Sequence, residues 1–200
     1  MANRSDLVVA AKAGDGDAFM DLVHLETPEA FRLSLAILRH PADAEDALQE
    51  AFVRAWRELP GLRDAERWAA WFRRITVNAA IDTSRRKKAF RIVPLGFHEP
   101  PPAPDASAGL AARDEVTRAL GHLDANDRAL LALRFGHDLE LPDAAAALGI
   151  PLGTAKSRLH RALGRLRKEL EKVDELQRHR ESASGEAGSR IEPAPTEPGL

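Results

Sequence analysis

The chain has 200 residues, which is enough for one or two small domains that each bury a core. Lys and Arg number 29 and Asp and Glu 31, a formal net charge of −2, so a nucleic-acid-binding surface would have to come from local basic clusters. The absence of cysteine excludes disulfides, thiolate metal sites and thiol redox switches. Neither a signal peptide nor a bilayer-spanning apolar run is recognisable, so we expect a cytoplasmic protein without membrane insertion.

Helical periodicity extends over most of the sequence, and no stretch alternates apolar and polar residues convincingly. The sequence therefore predicts an all-α fold with two small helical domains. Proline, glycine and alanine concentrate between them, which predicts a flexible linker, and the polar C-terminal end predicts a disordered tail. The predicted boundaries are 1–90 for the first domain, 91–109 for the linker, 110–176 for the second domain and 177–200 for the tail.

The first domain contains a predicted helix with acidic residues in its first turn, over 43–59. Acids are favourable there because they face the positive end of the helix dipole. One stripe is apolar and predicts core packing; it comprises Ala47, Leu48, Ala51, Phe52, Ala55, Trp56 and Leu59. The other face is polar and carries Glu45, Asp46, Gln49, Glu50, Arg54 and Arg57. Taken alone, this pattern favours an ordinary surface helix.

A second helix of the first domain is strongly basic. Seven Lys and Arg residues stand against one acid, Asp82, between positions 71 and 91. Its apolar stripe predicts core packing rather than base stacking and comprises Trp68, Trp71, Phe72, Ile75 and Ala79. The basic remainder predicts a nucleic-acid-binding face, since phosphates attract clustered cations.

The second domain has the outline of a helix-turn-helix between positions 144 and 170. Gly149 can adopt the left-handed backbone that ends a helix, and Pro151 cannot prolong it. Thr154 offers a hydroxyl N-cap for the next helix. The apolar residues of that helix recur at helical spacing and comprise Ala155, Leu159, Ala162, Leu163 and Leu166. Six basic residues and one acid lie between 151 and 170, which favours DNA binding through this helix.

These motifs, in this order over residues 6–172, resemble those of the extracytoplasmic function (ECF) sigma factors of bacterial RNA polymerase. The resemblance implies that the first domain is sigma region two, which docks on core RNA polymerase at the β′ clamp coiled coil and binds the minus-ten element. It also implies that the second domain is region four, which reads the minus-thirty-five element and meets the β flap. An anti-sigma factor is a further implied partner. Neither a cofactor nor a metal is implied.

The resemblance also assigns residues. The implied polymerase contacts are Asp46, Gln49 and Glu50. Asn78 matches an asparagine that holds a flipped base of the minus-ten element, and the loop residues Leu62, Arg63 and Asp64 fall where the family closes over that base. The implied strand-backbone contacts are Arg73, Arg74, Arg85 and Arg86. The implied minus-thirty-five contacts are Thr154, Lys156, Ser157, Arg158, His160 and Arg161.

The sequence departs from the family pattern at the start of the helix-turn-helix. Glu140, Leu141 and Pro142 replace the usual capping residue and the two that follow it, so we expect a weaker cap. Asp124 stands where a proline is common.

Parts of the sequence are also compatible with two other functions. A helix-turn-helix regulator that does not bind core polymerase would share the second domain but would leave the first domain's acidic and basic helices unexplained. An enzyme is disfavoured because no metal-ligating HExxH, glycine-rich phosphate loop, Cys/His cluster or nucleophile elbow is present.

Overall fold

The computed structural model describes residues 3–90 and 116–188, with the side chains of residues 3–89 and 116–172. This part of the chain contains helices and no strand, which confirms the all-α prediction. The predicted linker, 91–109, lies outside the described residues. Within the described ranges, no helix combines the length and apolar character that crossing a bilayer requires.

The first unit consists of four helices: α1 (Arg4–Lys12), α2 (Gly16–Leu38), α3 (Pro41–Glu58) and α4 (Trp68–Phe90). Two short 3₁₀ turns, Leu59–Gly61 and Ala65–Arg67, connect α3 to α4. Asn3 begins α1 with a capping box, and the Asp15 carboxylate caps α2. Arg39 ends α2 in the left-handed region, so α3 turns back against it.

The core of the first unit is aromatic and aliphatic. Trp68 is fully buried and stacks on Phe72, with ring centroids 5.3 Å apart. Its indole N–H donates to Glu26 Oε1 at 3.1 Å, and Arg4 Nε lies 2.8 Å from the same oxygen. Because both groups satisfy Glu26, this carboxylate can be buried between α1, α2 and α4.

The second unit begins with helical residues 116–121 and continues with α5 (Ala125–Leu131), a π-helical turn (Ala132–Gly136), α6 (Leu141–Leu148) and α7 (Leu152–Gly188). Asp124 caps α5 by accepting from the Asp127 N–H at 2.9 Å, a bond that a proline side chain at this position could not make. Glu140 makes no side-chain cap for α6, as its position in the sequence predicts. Gly149 ends α6 at φ 64°, also as predicted.

Several local predictions differ from the structure. α7 begins at Leu152, two residues before the predicted cap Thr154, because the Pro151 carbonyl already accepts from the Ala155 N–H at 3.0 Å. The helix continues to Gly188 over a segment that is rich in helix-forming Glu, Gln, Arg and Ala and contains no proline. The predicted tail, 177–200, lies outside the described residues from position 189 onward. Two residues assigned to apolar stripes, Trp56 and Leu163, remain about 40% exposed, because the described helices cover them only in part.

The two units pack against each other through a second apolar cluster. Leu33, Ile37 and Val77 of the first unit contact residues of the second unit, among them Leu130 and Leu133. Polar contacts border this interface: Arg128 Nε donates to the Ile37 carbonyl at 2.5 Å, and His137 Nδ1 lies 3.0 Å from Glu29 Oε1. The described molecule is therefore closed, with the second unit resting on α2 and α4.

Candidate functional site

The polar face of α3 presents two of the three predicted polymerase contacts to solvent. Asp46 and Gln49 are exposed, and Val53 and Trp56 continue the same face because their positions follow at helical spacing. Val53 is 47% and Trp56 42% exposed, although the Trp56 ring also packs on Phe19 at 4.8 Å. We call Asp46, Gln49, Val53 and Trp56 the α3 face.

Glu50 lies at the edge of the α3 face and is half-buried in an ion-pair network. Its two carboxylate oxygens bind Arg54 and Arg86, and Arg54 reaches Asp82 Oδ2 at 3.1 Å. The hydrogen bond from Arg86, with that from Arg54, lowers the pKa of the Glu50 carboxyl below its ordinary value against the opposing effect of burial. Glu50 and Arg86, predicted to contact different partners, are therefore joined to each other.

The predicted minus-ten residues of α4 divide into two groups. Arg74, Asn78 and Arg85 are exposed and share one face, which we call the α4 face. Asn78 makes no side-chain hydrogen bond to any described residue. Arg73 instead turns toward α2, where it lies 3.6 Å from Glu29.

The loop between α3 and α4 presents Arg63 and Asp64 to solvent and buries Leu62. The Leu62 side chain is 8% exposed and packs in the first core, so it is not available to a base. The Asp64 carboxylate accepts from the Glu66 N–H at 3.0 Å and pairs with Arg67 at 3.4 Å. Arg63 makes no contact of this kind with the described residues, which leaves its guanidinium accessible.

The first turns of α7 present the predicted minus-thirty-five residues. Thr154, Lys156, Ser157, His160 and Arg161 are exposed and Arg158 is half-buried. Arg161 Nε donates to the Ser157 carbonyl at 3.2 Å. One turn later, Arg165 is occupied by the buried Asp127, at 2.8 Å. Burial and the charge of Asp124 raise the pKa of Asp127, and the charges of Arg165, Arg158 and Arg161 oppose that shift.

Comparison with known proteins identifies both units. The Sigma-70 region 2 family matches residues 22–90, and Sigma-70 region 4 matches residues 119–168. The chain is 35% identical to the ECF RNA polymerase sigma factor SigM of Mycobacterium tuberculosis (strain ATCC 35801 / TMC 107 / Erdman) over 82% of this chain and 83% of that protein. It is 30% identical to the ECF RNA polymerase sigma factor SigW of Bacillus subtilis (strain 168) over 80% of this chain and 92% of that protein.

The chain belongs to the ECF RNA polymerase sigma factors. It functions as a sigma factor in promoter recognition and transcription initiation, which decides against a helix-turn-helix regulator that does not bind core polymerase. Solved structures agree with this assignment. CnrH in complex with the cytosolic domain of CnrY has a TM-score of 0.61 at 27% identity and covers 84% of this sigma factor and 97% of that chain. RpoE in complex with the anti-sigma factor NepR from Bartonella quintana has a TM-score of 0.59 at 28% identity. The match covers 78% of this sigma factor and 98% of that chain.

Sequence reasoning missed Trp56 and Val53 of this sigma factor as surface residues. Both lie where the apolar and polar stripes of α3 meet, so periodicity alone assigns Trp56 to the core. Periodicity provides no signal that would separate Trp56 from the core positions, because seven apolar positions over 43–59 are the usual number for a core-facing helix of this length.

Proposed function

We propose that this sigma factor docks on core RNA polymerase, at the β′ clamp coiled coil, through the α3 face, with Asp46 and Gln49 as polar contacts and Trp56 as the apolar anchor. The exposure of Trp56 on the same face of α3 as these two residues is the observation that carries this proposal. An exposed aromatic ring flanked by polar groups is typical of the centre of a protein interface. Glu50 contributes at the edge, where its charge is shared with Arg54 and Arg86.

A binding measurement with purified core polymerase tests this surface. Asp46→Arg and Trp56→Ala should each weaken core binding by about tenfold or more, because both lie on the proposed interface. Glu171→Arg, a charge reversal at an exposed residue of α7, is the matched control and should bind normally. Undiminished binding by the Asp46→Arg, Trp56→Ala double variant, with an unchanged melting temperature, would exclude the α3 face.

On the promoter, we propose two DNA surfaces. The α4 face and the loop residues Arg63 and Asp64 take the single-stranded minus-ten element, with Asn78 reading a flipped base. The first turns of α7 enter the major groove of the minus-thirty-five element. The exposure of Asn78, Arg63 and Arg161 supports these roles. Arg73 joins the minus-ten surface only after it leaves Glu29.

Further partners follow from the family. We propose that region four also meets the β flap and that an anti-sigma factor binds this chain, as NepR binds RpoE in the similar solved structure. The protein would act in the cytoplasm, where core polymerase is, and would catalyse no reaction of its own, since the proposed surfaces bind polymerase and DNA rather than a reacting substrate.

A further inference from the structure

Helix α1 is bonded to the loop between α3 and α4 at two points. Lys12 Nζ donates to the Leu62 carbonyl at 2.6 Å, and Ser5 Oγ donates to Glu66 Oε1 at 2.5 Å. Ser5 and Lys12 lie about 10 Å apart along α1, at about 1.5 Å per helical residue. The two contacts therefore hold the loop on both sides of Arg63 and Asp64.

Apolar packing also fixes the base of this loop. Leu59 and Leu62 are buried in the core that also contains Val8 and Ala11 of α1. The loop consequently has a buried base bonded to α1 and an exposed tip that contains Arg63.

The start of α4 is held by the same helix. Arg4 pairs with Glu26, and Glu26 accepts from the Trp68 indole N–H at 3.1 Å. α1 thus contacts the loop near its beginning, near its end and, through Glu26, where it enters α4. α1 also lies outside residues 22–90, the segment matched to Sigma-70 region 2.

We propose that Lys12 is a positioning residue for recognition of the minus-ten element. Its ammonium binds the Leu62 carbonyl and so fixes the backbone next to Arg63. The Arg63 side chain is thereby held in one orientation toward the base that the loop reads. Without this bond the carbonyl would turn to solvent, and the loop tip would sample more conformations. The proposal rests on the proposed function, in which this loop closes over a base.

The test uses the full chain bound to core polymerase and fluorescent single-stranded oligonucleotides of the minus-ten region, randomised one position at a time. Arg63→Ala identifies the position that the loop reads. At that position, Lys12→Met should lower the preference for the best base by about fivefold, and Lys12→Arg should restore most of it, because the lost contact is a charge-assisted hydrogen bond. Lys172→Met, which removes an exposed ammonium on α7, is the matched control and should not change the preference.

A double variant separates positioning from a general structural role. If Lys12 acts through the loop, Lys12→Met should add nothing in the Arg63→Ala background. Amide hydrogen exchange of residues 60–67 should also be faster in Lys12→Met, at an unchanged affinity for core. The proposal is overturned if Lys12→Met keeps the full preference, or if the two substitutions have additive effects. If Arg63→Ala leaves every position unchanged, the loop's place in the proposed function fails, and the role of Lys12 fails with it.

Discussion

Asn78 is the residue on which the minus-ten assignment depends most directly. Its side chain is exposed on α4 between the buried Val77 and Ala79, and it bonds to no described residue. An asparagine that braced or capped its helix would have a backbone partner within one turn. Among the described residues, the Asn78 side chain therefore makes no hydrogen bond that Asn78→Ala would remove.

We expect Asn78→Ala to separate DNA melting from stability. Open-complex formation on a cognate promoter should fall by an amount equivalent to about 1 to 3 kcal/mol, the usual range for a lost base contact. The melting temperature and core binding should stay close to those of the unmodified protein, since exposed polar substitutions rarely destabilise a domain. Potassium permanganate footprinting measures open-complex formation, and calorimetry measures the melting temperature. A large loss of thermal stability would instead assign Asn78 to the fold.

At the scale of the element, α7 divides along its length. Its first three turns present cations to solvent, whereas Arg165 on the next turn is paired with Asp127. Because only the N-terminal part of such a helix enters the major groove, residues beyond Arg165 reach phosphates rather than bases.

This division predicts two kinds of variant. Arg161→Ala should cost about 1 to 3 kcal/mol on the preferred minus-thirty-five site and relax its sequence preference. Arg167→Ala should weaken binding to all duplexes nearly equally and lower the salt slope by about one. Titrations of the full chain with core polymerase against randomised duplexes, at several salt concentrations, measure both. An unchanged site preference in Arg158→Ala and Arg161→Ala alike would mean that α7 does not read sequence.

At the scale of the whole molecule, the closed arrangement cannot bind both promoter elements at once. The Gly149 backbone lies beside Arg74, where an added Cβ would be 3.5 Å from the guanidinium. Three extended and nine helical residues separate Arg161 from Gly149, so Arg161 of the minus-thirty-five surface lies at most about 25 Å from Gly149, which itself lies beside Arg74 of the minus-ten surface. The minus-ten and minus-thirty-five elements, about 25 base pairs apart, are separated by about 85 Å at 3.4 Å per base pair.

The two units must therefore separate on the promoter. Residues 91–115 connect them, and 25 residues can span at most about 85 Å when fully extended. Since the chain has no cysteine, Ala70→Cys and Glu171→Cys allow specific labelling for a distance measurement. We expect the distance between the labels to grow by tens of ångströms, on the order of the 85 Å spacing, when core and promoter are added. A constant distance would contradict opening.

The interface contact between Glu29 and His137 should influence this opening. Burial would raise the pKa of Glu29, but the hydrogen bond and charge of His137, with the charge of Arg73, lower it overall. Because Arg73 belongs to the same unit as Glu29, only the share of this lowering that comes from His137 depends on closure. That share stabilises the closed form above the ordinary pKa of glutamate and is lost as pH falls through the lowered value. Within the same labelling experiment, Glu29→Gln should increase the open population, and Asp21→Asn, an exposed control on α2, should not.

The sequence by itself determined the helical fold, the helix-turn-helix and the family. These depend on local periodicity, on caps such as Gly149 and on ordered motifs, all of which neighbouring residues specify. Tertiary structure alone decided that Trp56 is exposed, that Leu62 is buried and that Glu50 is joined to Arg86 across two helices. It also decided that Lys12 reaches Leu62 and that the second unit covers Val77. These contacts join residues far apart in the chain, and periodicity shows which face of a helix is apolar but not which neighbour covers it.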